Sequence, residues 1–152
     1  MIIRAALPDD VPGMSAVLQP ILTGWNSDRL GDTATVLERY VNDPDKIACS
    51  VAELDGRIVG FQSLKRATEA NPYGVEPGWG IIGTYVALDA GRGGIGSALF
   101  AASEQAARAA GLAWIDATIG KDNAKGLSYY RKMGFAPYRD TGTALAHRFQ
   151  VR

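Results

Sequence analysis

Residues 89–99 read Asp89-Ala90-Gly91-Arg92-Gly93-Gly94-Ile95-Gly96-Ser97-Ala98-Leu99. The apolar run before them, 81–88, is typical of a buried strand, and the alanine-rich run 95–110 is typical of a helix. Glycine permits a tight turn and lets a ligand approach the backbone amides. Amides at the start of a helix attract phosphate, and Arg92 and Ser97 add a positive charge and a hydroxyl donor. The stretch therefore predicts a strand, a turn and a helix that bind a phosphorylated ligand.

Two other interpretations fit the same glycines. The turn could serve only tight packing of strand against helix, although four glycines with Arg92 exceed what packing needs. It also satisfies Gly-x-Gly-x-x-Gly at Gly91, Gly93 and Gly96, the pattern of a dinucleotide-binding turn, with Asp116 as the ribose-binding acid. Against a dinucleotide fold, the turn comes late in the chain, and Asp116 lies inside a predicted strand rather than at its end.

Composition bounds the class of protein. The 152 residues suit one domain, and 47% hydrophobic with 21% charged residues is ordinary for a soluble protein. Sixteen basic residues balance sixteen acidic ones, whereas a general nucleic-acid binder carries a basic excess. One cysteine and one histidine argue against a disulfide framework and a metal site. With charges in every apolar run and no signal-peptide core, we expect a cytoplasmic protein with no membrane or nucleic-acid partner.

Outward from the turn, the patterns predict a mixed α/β domain in the order β α α β β β α β α β. The predicted strands are 2–6, 47–53, 57–64, 81–88, 112–119 and 144–151. The predicted helices run from Asp9 or Asp10 to Leu18, where Pro20 disturbs the first one, and over 33–41, 95–110 and 124–133. Asp55-Gly56 predicts a hairpin, because a type I′ turn needs positive φ at both central positions. Residues 67–80 are expected to form a long irregular loop, the kind that often binds substrate.

A second motif follows at residues 123–135, Asn123-Ala124-Lys125-Gly126-Leu127-Ser128-Tyr129-Tyr130-Arg131-Lys132-Met133-Gly134-Phe135. Together with the glycine turn it resembles the GNAT superfamily of acetyl-CoA-dependent N-acetyltransferases. In that family an asparagine precedes a short helix that ends in Tyr-x-x-x-Gly-Phe, here Tyr130, Gly134 and Phe135. The two motifs cover residues 84–135, and both in this order and spacing are fairly specific. The resemblance implies a single domain over 1–152, with a mostly antiparallel central sheet flanked by helices.

The resemblance also implies roles for individual residues around acetyl-CoA. Main-chain groups of Thr84, Tyr85 and Val86 would pair with the pantetheine arm, and Asn123 would hydrogen-bond the cofactor. The pyrophosphate would be held by the amides of Arg92, Gly93, Gly94, Ile95, Gly96 and Ser97. Tyr130 would protonate the leaving thiolate, since a phenol with a pKa of about 10 can do so in a cleft of low dielectric constant. Simple packing under the helix is the alternative for Tyr130.

The sequence departs from the family pattern at two points. Gly91 stands where the family usually has Gln or Arg at the start of the loop, so Arg92 comes one place later. Many members carry a catalytic glutamate on the strand before the loop, but 80–83 here reads Gly-Ile-Ile-Gly. The general base is therefore open among Glu76, Glu69, a water chain and no base at all. The missing carboxylate also motivates a second class of function, a non-catalytic acyl-CoA-binding module.

A closer likeness is to phosphinothricin-type acetyltransferases, which modify small amino-acid-like molecules. It rests on Trp25-Asn26 and on Asn71-Pro72-Tyr73-Gly74. Trp25 and Glu76 are thus candidates for the substrate site, and relatives that are often dimers favour a homodimer. The resulting hypothesis is an N-acetyltransferase that acts on the primary amine of a small molecule by direct attack in a ternary complex. Cys49 lies among apolar residues and is expected to be a buried thiol rather than a nucleophile.

Overall fold

One seven-stranded sheet dominates the computed structural model, which describes residues 1–91 and 93–152. Its strands are β1 (Ile2–Ala5), β2 (Lys46–Leu54), β3 (Arg57–Arg66), β4 (Gly80–Val86), β5 (Trp114–Gly120), β6 (Ala136–Asp140) and β7 (Ala144–Gln150). The helices are α1 (Val11–Gly24), α2 (Thr33–Val36), α3 (Ile95–Ala109) and α4 (Ala124–Met133). A 3₁₀ turn, Pro8–Asp10, precedes α1, and a π-helical stretch, Leu37–Val41, extends α2. No helix in the described part of the chain is long and apolar enough to cross a membrane.

The strands lie in the order β1-β2-β3-β4-β5-β7-β6, and all neighbours are antiparallel except β4 and β5. This confirms the mostly antiparallel sheet that the resemblance implied. It also excludes the dinucleotide interpretation, because a doubly wound dinucleotide-binding fold is built from successive parallel strands. Asp116, which that interpretation assigned to ribose binding, is buried within β5.

Helices cover the two faces of the sheet unequally. We call the face that carries Phe61 and Tyr85 the α1 face, because both rings pack with Met14 and Leu18 of α1 in one apolar cluster. The other face, called the α3 face, packs its apolar side chains against α3 and α4. On β4 the side chains alternate, so that Tyr85 belongs to the α1 face and Ile82 to the α3 face. The sheet therefore separates two environments that can differ in chemistry.

Local turn chemistry behaves as predicted. Asp55 and Gly56 have φ angles of +52° and +77° and join β2 to β3, which confirms the type I′ hairpin. Gly111 and Gly134 adopt φ angles of +70° and +104° after α3 and α4. Left-handed backbone suits glycine there, because a Cβ would be strained.

Two predictions about elements were wrong. The first helix continues through Pro20 to Gly24, although proline removes a helical hydrogen bond. Burial of Ile21 and Leu22 on the inner face offsets that loss. The strand β6 was missed, because Pro137 cannot donate to a ladder and argues against a strand. Proline is tolerated at this position because β6 is the edge strand and its register with β7 shifts between Pro137 and Arg139.

Within the described residues, β4 and β5 form the one parallel strand pair, and this junction predicts where a shortened side chain destabilises the fold. Ile115 is fully buried and pairs with Gly80 of β4. Replacing it by alanine is expected to lower the free energy of unfolding by about 2–5 kcal/mol, since a cavity forms in the apolar cluster between the sheet and α3. Ile2→Ala is the matched control, because Ile2 is 54% exposed. Equal losses in denaturant titrations of the two variants would contradict the packing described.

Candidate functional site

The strands β4 and β5 touch at one end and separate at the other. They pair at Gly80 with Ile115 and at Ile81 with Asp116. Beyond these pairs β4 continues beside β3, and β5 continues beside β7. A strand that loses its neighbour presents backbone N–H and C=O groups along the open edge. The result is a V-shaped cleft whose β4 wall can pair with an extended ligand.

A cavity of about 1350 Å³ runs through this cleft. Small-molecule pockets commonly measure about 300–1,000 Å³, so this one has room for two ligands. Toward the α3 face its walls include Thr84, Ser97, Asn123 and Tyr130. Toward the α1 face they include Trp25, Arg29, Arg39, Tyr40, Tyr73 and Tyr85. The sheet is open between the two sides, so ligands bound on opposite faces can meet within the cleft.

The glycine turn places the start of α3 at the cavity. Gly94 precedes the helix with a φ of +75° and carries no side chain to cap it. The first amides of a helix have no partner within the helix. Gly91, Gly94, Ile95, Gly96 and Ser97 line the cavity, whereas Gly93 is exposed and does not. Arg92, predicted to join them, lies outside the described residues.

Gly96 allows α3 and α4 to approach closely. A Cβ added at Gly96 would lie 2.6 Å from a ring carbon of Tyr129. The Tyr129 hydroxyl donates to the Gly96 carbonyl oxygen at 2.7 Å. Any larger residue at 96 would therefore push the start of α3 away from α4.

Tyr130 lies beside β4 in the cleft. Its side chain is 6% exposed, and its hydroxyl lies 2.8 Å from Thr84 Oγ1. Burial raises the pKa of Tyr130 well above the ordinary value of a phenol, and the hydrogen bond with Thr84 opposes that shift only in part. The phenol is consequently neutral at physiological pH and keeps a proton that it can donate.

Gln62 was missed by the sequence analysis and connects these groups. It is fully buried on β3, and its Nε2 donates to Thr84 Oγ1 at 2.8 Å and to the Tyr129 hydroxyl at 3.0 Å. Tyr129 already donates its proton to Gly96, so it must accept from Gln62, which fixes the orientation of the amide. The feature of the sequence that could have identified it is a single glutamine among the apolar residues of the predicted strand 57–64.

Asn123 caps α4 and lies on the cavity wall. Its Oδ1 accepts a hydrogen bond from the Gly126 amide at 3.0 Å, which leaves Nδ2 as its donor toward the cavity. A Cβ at Gly126 would lie 2.6 Å from that Nδ2. The glycine at 126 therefore makes room for the capping side chain.

The two predicted substrate residues have different positions. Trp25 lines the cavity, 6.4 Å from Tyr85 between ring centroids. Glu76 is exposed and lies outside the lining, as does Glu69. The loop buries the side chain of Val75, and its neighbour Glu76 consequently points to solvent. The structure therefore brings neither glutamate to the cleft.

Asp116 provides a carboxylate where β4 and β5 separate. It is 1% exposed, lines the cavity and accepts hydrogen bonds from Thr118 Oγ1, at 2.9 Å, and from the Tyr138 hydroxyl. Burial raises its pKa, and the hydrogen bonds oppose that shift. In the described part of the chain, no group of three or more potential metal ligands is present.

The chain belongs to the acetyltransferase (GNAT) family, whose model matches residues 14–135. It is thus an acetyltransferase with the GNAT fold, a class whose solved members include structures with acetyl-CoA or coenzyme A bound. A search of curated protein sequences found no match.

Three solved structures illustrate the similarity. The protein yncA from Salmonella typhimurium, assigned as an acetyltransferase and solved with acetyl-CoA, has 20% identity and a TM-score of 0.81 over 99% of this chain and 94% of its own. The N-acetyltransferase paia from Thermoplasma acidophilum, in complex with coenzyme A, has 17% identity and a TM-score of 0.75 over 98% of each chain. A structure assigned as a phosphinothricin N-acetyltransferase has 16% identity and a TM-score of 0.74, over 99% of this chain and 98% of its own.

The contact between Gly96 and Tyr129 predicts a specific coupling. Gly96→Ala is expected to cost about 1–3 kcal/mol of stability, because the added methyl group overpacks the junction of α3 and α4. Tyr129→Ala removes the ring, so the double variant should lose less than the sum of the single losses. Gly91→Ala is the control, since a Cβ there meets nothing within 4 Å. Additive losses in thermal unfolding would contradict this contact.

Proposed function

We propose that this acetyltransferase transfers the acetyl group of acetyl-CoA to the primary amine of a small molecule, which attacks the thioester directly in a ternary complex. The observation that carries the proposal is the cleft between β4 and β5, which joins an open strand edge, an uncapped helix start and a neutral buried phenol. The full chain, 1–152, acts as one domain in this proposal. Acetyl-CoA supplies the acetyl group as an activated thioester.

The residues present fit acetyl-CoA by their donors and acceptors. The open edge of β4 at Thr84, Tyr85 and Val86 offers backbone groups to the amides of the pantetheine arm. At the α3 start, the orphan amides from Gly94 to Ser97 match the charge and the acceptors of a pyrophosphate. Gly93 and Arg92 belong to the same proposed binding turn, and Asn123 offers its Nδ2. An amide of β4 near Val86 would polarise the thioester carbonyl.

Tyr130 is the proposed general acid that protonates the departing thiolate. Burial keeps the phenol protonated, and the cleft of low dielectric constant favours proton transfer to a nearby anion. The tyrosinate that results accepts a hydrogen bond from the Thr84 hydroxyl. Thr84 is free to donate in this direction because its oxygen accepts from Gln62 Nε2. Gln62 and Thr84 thus position the acid and stabilise its conjugate base.

Replacing Tyr130 by phenylalanine tests that role. We expect kcat to fall about a hundredfold while the affinity for acetyl-CoA changes little, since the acid acts only in the transition state. Tyr129→Phe is the comparison and should reduce stability more than turnover. Release of the coenzyme A thiol can be followed with a chromogenic disulfide, because burial raises the pKa of Cys49 to about 12 and keeps that thiol unreactive. Equal kcat in wild type and Tyr130→Phe would contradict the assignment.

Asp116 is the proposed acceptor of the proton that the amine loses. It is a carboxylate at the closed end of the cleft, and β4 carries none. A buried carboxyl with a raised pKa is a stronger base than an exposed one.

The variant Asp116→Asn should lower kcat/KM and abolish the acidic limb of its pH profile. Below the folded pKa of Asp116 the wild-type base is protonated and inactive, whereas asparagine does not titrate. An acidic limb that persists unchanged in the variant would assign the proton to another group. Thermal unfolding of both proteins controls for the lost hydrogen bonds with Thr118 and Tyr138.

The missing carboxylate on β4 also favours a second candidate function, a non-catalytic acyl-CoA-binding module. A thermal-unfolding comparison separates the two classes when it is combined with a screen of primary amines. Stabilisation by acetyl-CoA together with thiol release supports the enzyme. Stabilisation with no release on any amine supports the module.

A further inference from the structure

The α1 side of the cavity carries more positive than negative charge. Its lining cations are Arg29, Arg39, Lys46 and Lys65, and its lining acids are Asp43 and the buried Asp116. The chain as a whole has no net charge, so this excess is local. A local excess of one sign on a cavity wall attracts a ligand of the opposite sign.

The two lysines are already engaged within the fold. Lys65 Nζ lies 3.8 Å from a carboxylate oxygen of Asp43. Lys46 Nζ donates to the Val41 carbonyl oxygen at 2.7 Å, at the end of the π-helical stretch. Asp43 neutralises Lys65, whereas the Val41 carbonyl holds the Lys46 ammonium without cancelling its charge, so the excess comes from Lys46 and the two arginines.

The two arginines are held by phenols and not by acids. Arg29 donates to the hydroxyls of Tyr40 at 2.7 Å and Tyr85 at 2.9 Å. Arg39 donates to the Tyr73 hydroxyl at 3.3 Å. Among residues 1–91 and 93–152, neither guanidinium has a carboxylate oxygen within 4 Å. A neutral phenol orients a guanidinium without cancelling its charge, and the remaining N–H donors stay available.

Gly83 leaves room beside β4 for the Tyr85 hydroxyl that Arg29 binds. The Tyr85 hydroxyl lies 3.3 Å from the point that a Cβ of Gly83 would occupy. Arg29 binds that hydroxyl, so its charge is held on the α1 face of β4, in the same cavity as the proposed reaction site. No acid of β4 opposes it there.

We propose that the acceptor carries an oxyanion, a carboxylate or a phosphonate, in addition to its amine, and that Arg29 and Arg39 bind this oxyanion. The proposal rests on the proposed acetyl transfer and names the class of its acceptor. The planar guanidinium matches the paired oxygens of either group with parallel hydrogen bonds. Tyr40 and Tyr85, which hold Arg29, are buried, whereas both arginines are exposed, so the oxyanion would bind at the solvent-accessible side of the cavity.

Matched acceptors test the proposal. Each L-amino acid is assayed together with its carboxamide, which has the same side chain but no negative charge. The aminophosphonate that corresponds to the best amino acid is assayed as well. Mass spectrometry of the acetylated product gives kcat and KM. The acids should exceed their carboxamides in kcat/KM by about ten- to a hundredfold, the range for a charge-assisted hydrogen bond. The phosphonate then shows which oxyanion the site prefers.

Variants assign the preference to the two arginines. Arg29→Gln and Arg39→Gln should each raise KM for the acid by about tenfold or more and leave KM for the carboxamide nearly unchanged. Arg29→Lys should retain part of the preference, because it keeps the charge but loses the planar fork. Arg108→Gln is the matched control, since Arg108 pairs with Glu104 on the exposed side of α3. Thermal unfolding shows that each variant is folded.

The outcomes separate the two proposals. Carboxamides that react as well as acids overturn the oxyanion site and leave the acetyl transfer intact. Binding of acetyl-CoA with no reaction of any amine overturns the proposed function. In that case, calorimetric titration of the coenzyme A complex with the same acids, carboxamides and phosphonate tests whether the oxyanion site exists. Acid-selective binding that Arg29→Gln abolishes supports it, whereas unselective binding, binding unchanged in Arg29→Gln, or no binding contradicts it.

Discussion

The separation of β4 and β5 after two residue pairs is the constraint on which the site depends. The strands pair at one end at Gly80, which makes room for two core leucines: a Cβ there would lie 2.8 Å from Leu112 and 2.9 Å from Leu64. At the other end each strand pairs only on its far side. Backbone groups left without partners are costly unless water or a ligand binds them. The apolar packing around Gly80 thus lies next to the point where β4 and β5 separate and the polar cleft begins.

The proposed binding turn and the proposed general acid are linked by one chain of hydrogen bonds. It runs from the Gly96 carbonyl through Tyr129, Gln62 and Thr84 to Tyr130. These residues come from α3, α4, β3 and β4, so the chain joins four elements around the cleft. Gln62 is fully buried, and its Nε2 makes both of its hydrogen bonds within this chain, while its Oε1 has no partner among the described residues. A displacement of α3 would therefore disturb the surroundings of the proposed acid.

Features determined by short-range chemistry could be predicted from the sequence. The turn at Asp55-Gly56, the helix over 124–133 and the glycine after it depend on neighbouring residues, and the structure confirms them. Contacts between distant segments could not be predicted. Helix α1 passes Pro20 because its next turn packs on the sheet, and β6 forms because β7 offers it an edge. The positions of Gln62 in the core and of Glu76 outside the cavity depend on folding in the same way.

The glycine at 83 changes the chemistry of both sides of the cleft. Without a carboxylate on β4, a base must come from another element, and Asp116 of β5 lies at the point where the strands part. The same absence leaves space for the Tyr85 hydroxyl and, through it, for the guanidinium of Arg29. A glutamate in that space would neutralise the arginine and displace the phenol. On the proposed assignments, Gly83 therefore leaves the role of base to β5 and leaves the charge of Arg29 without an opposing acid on β4.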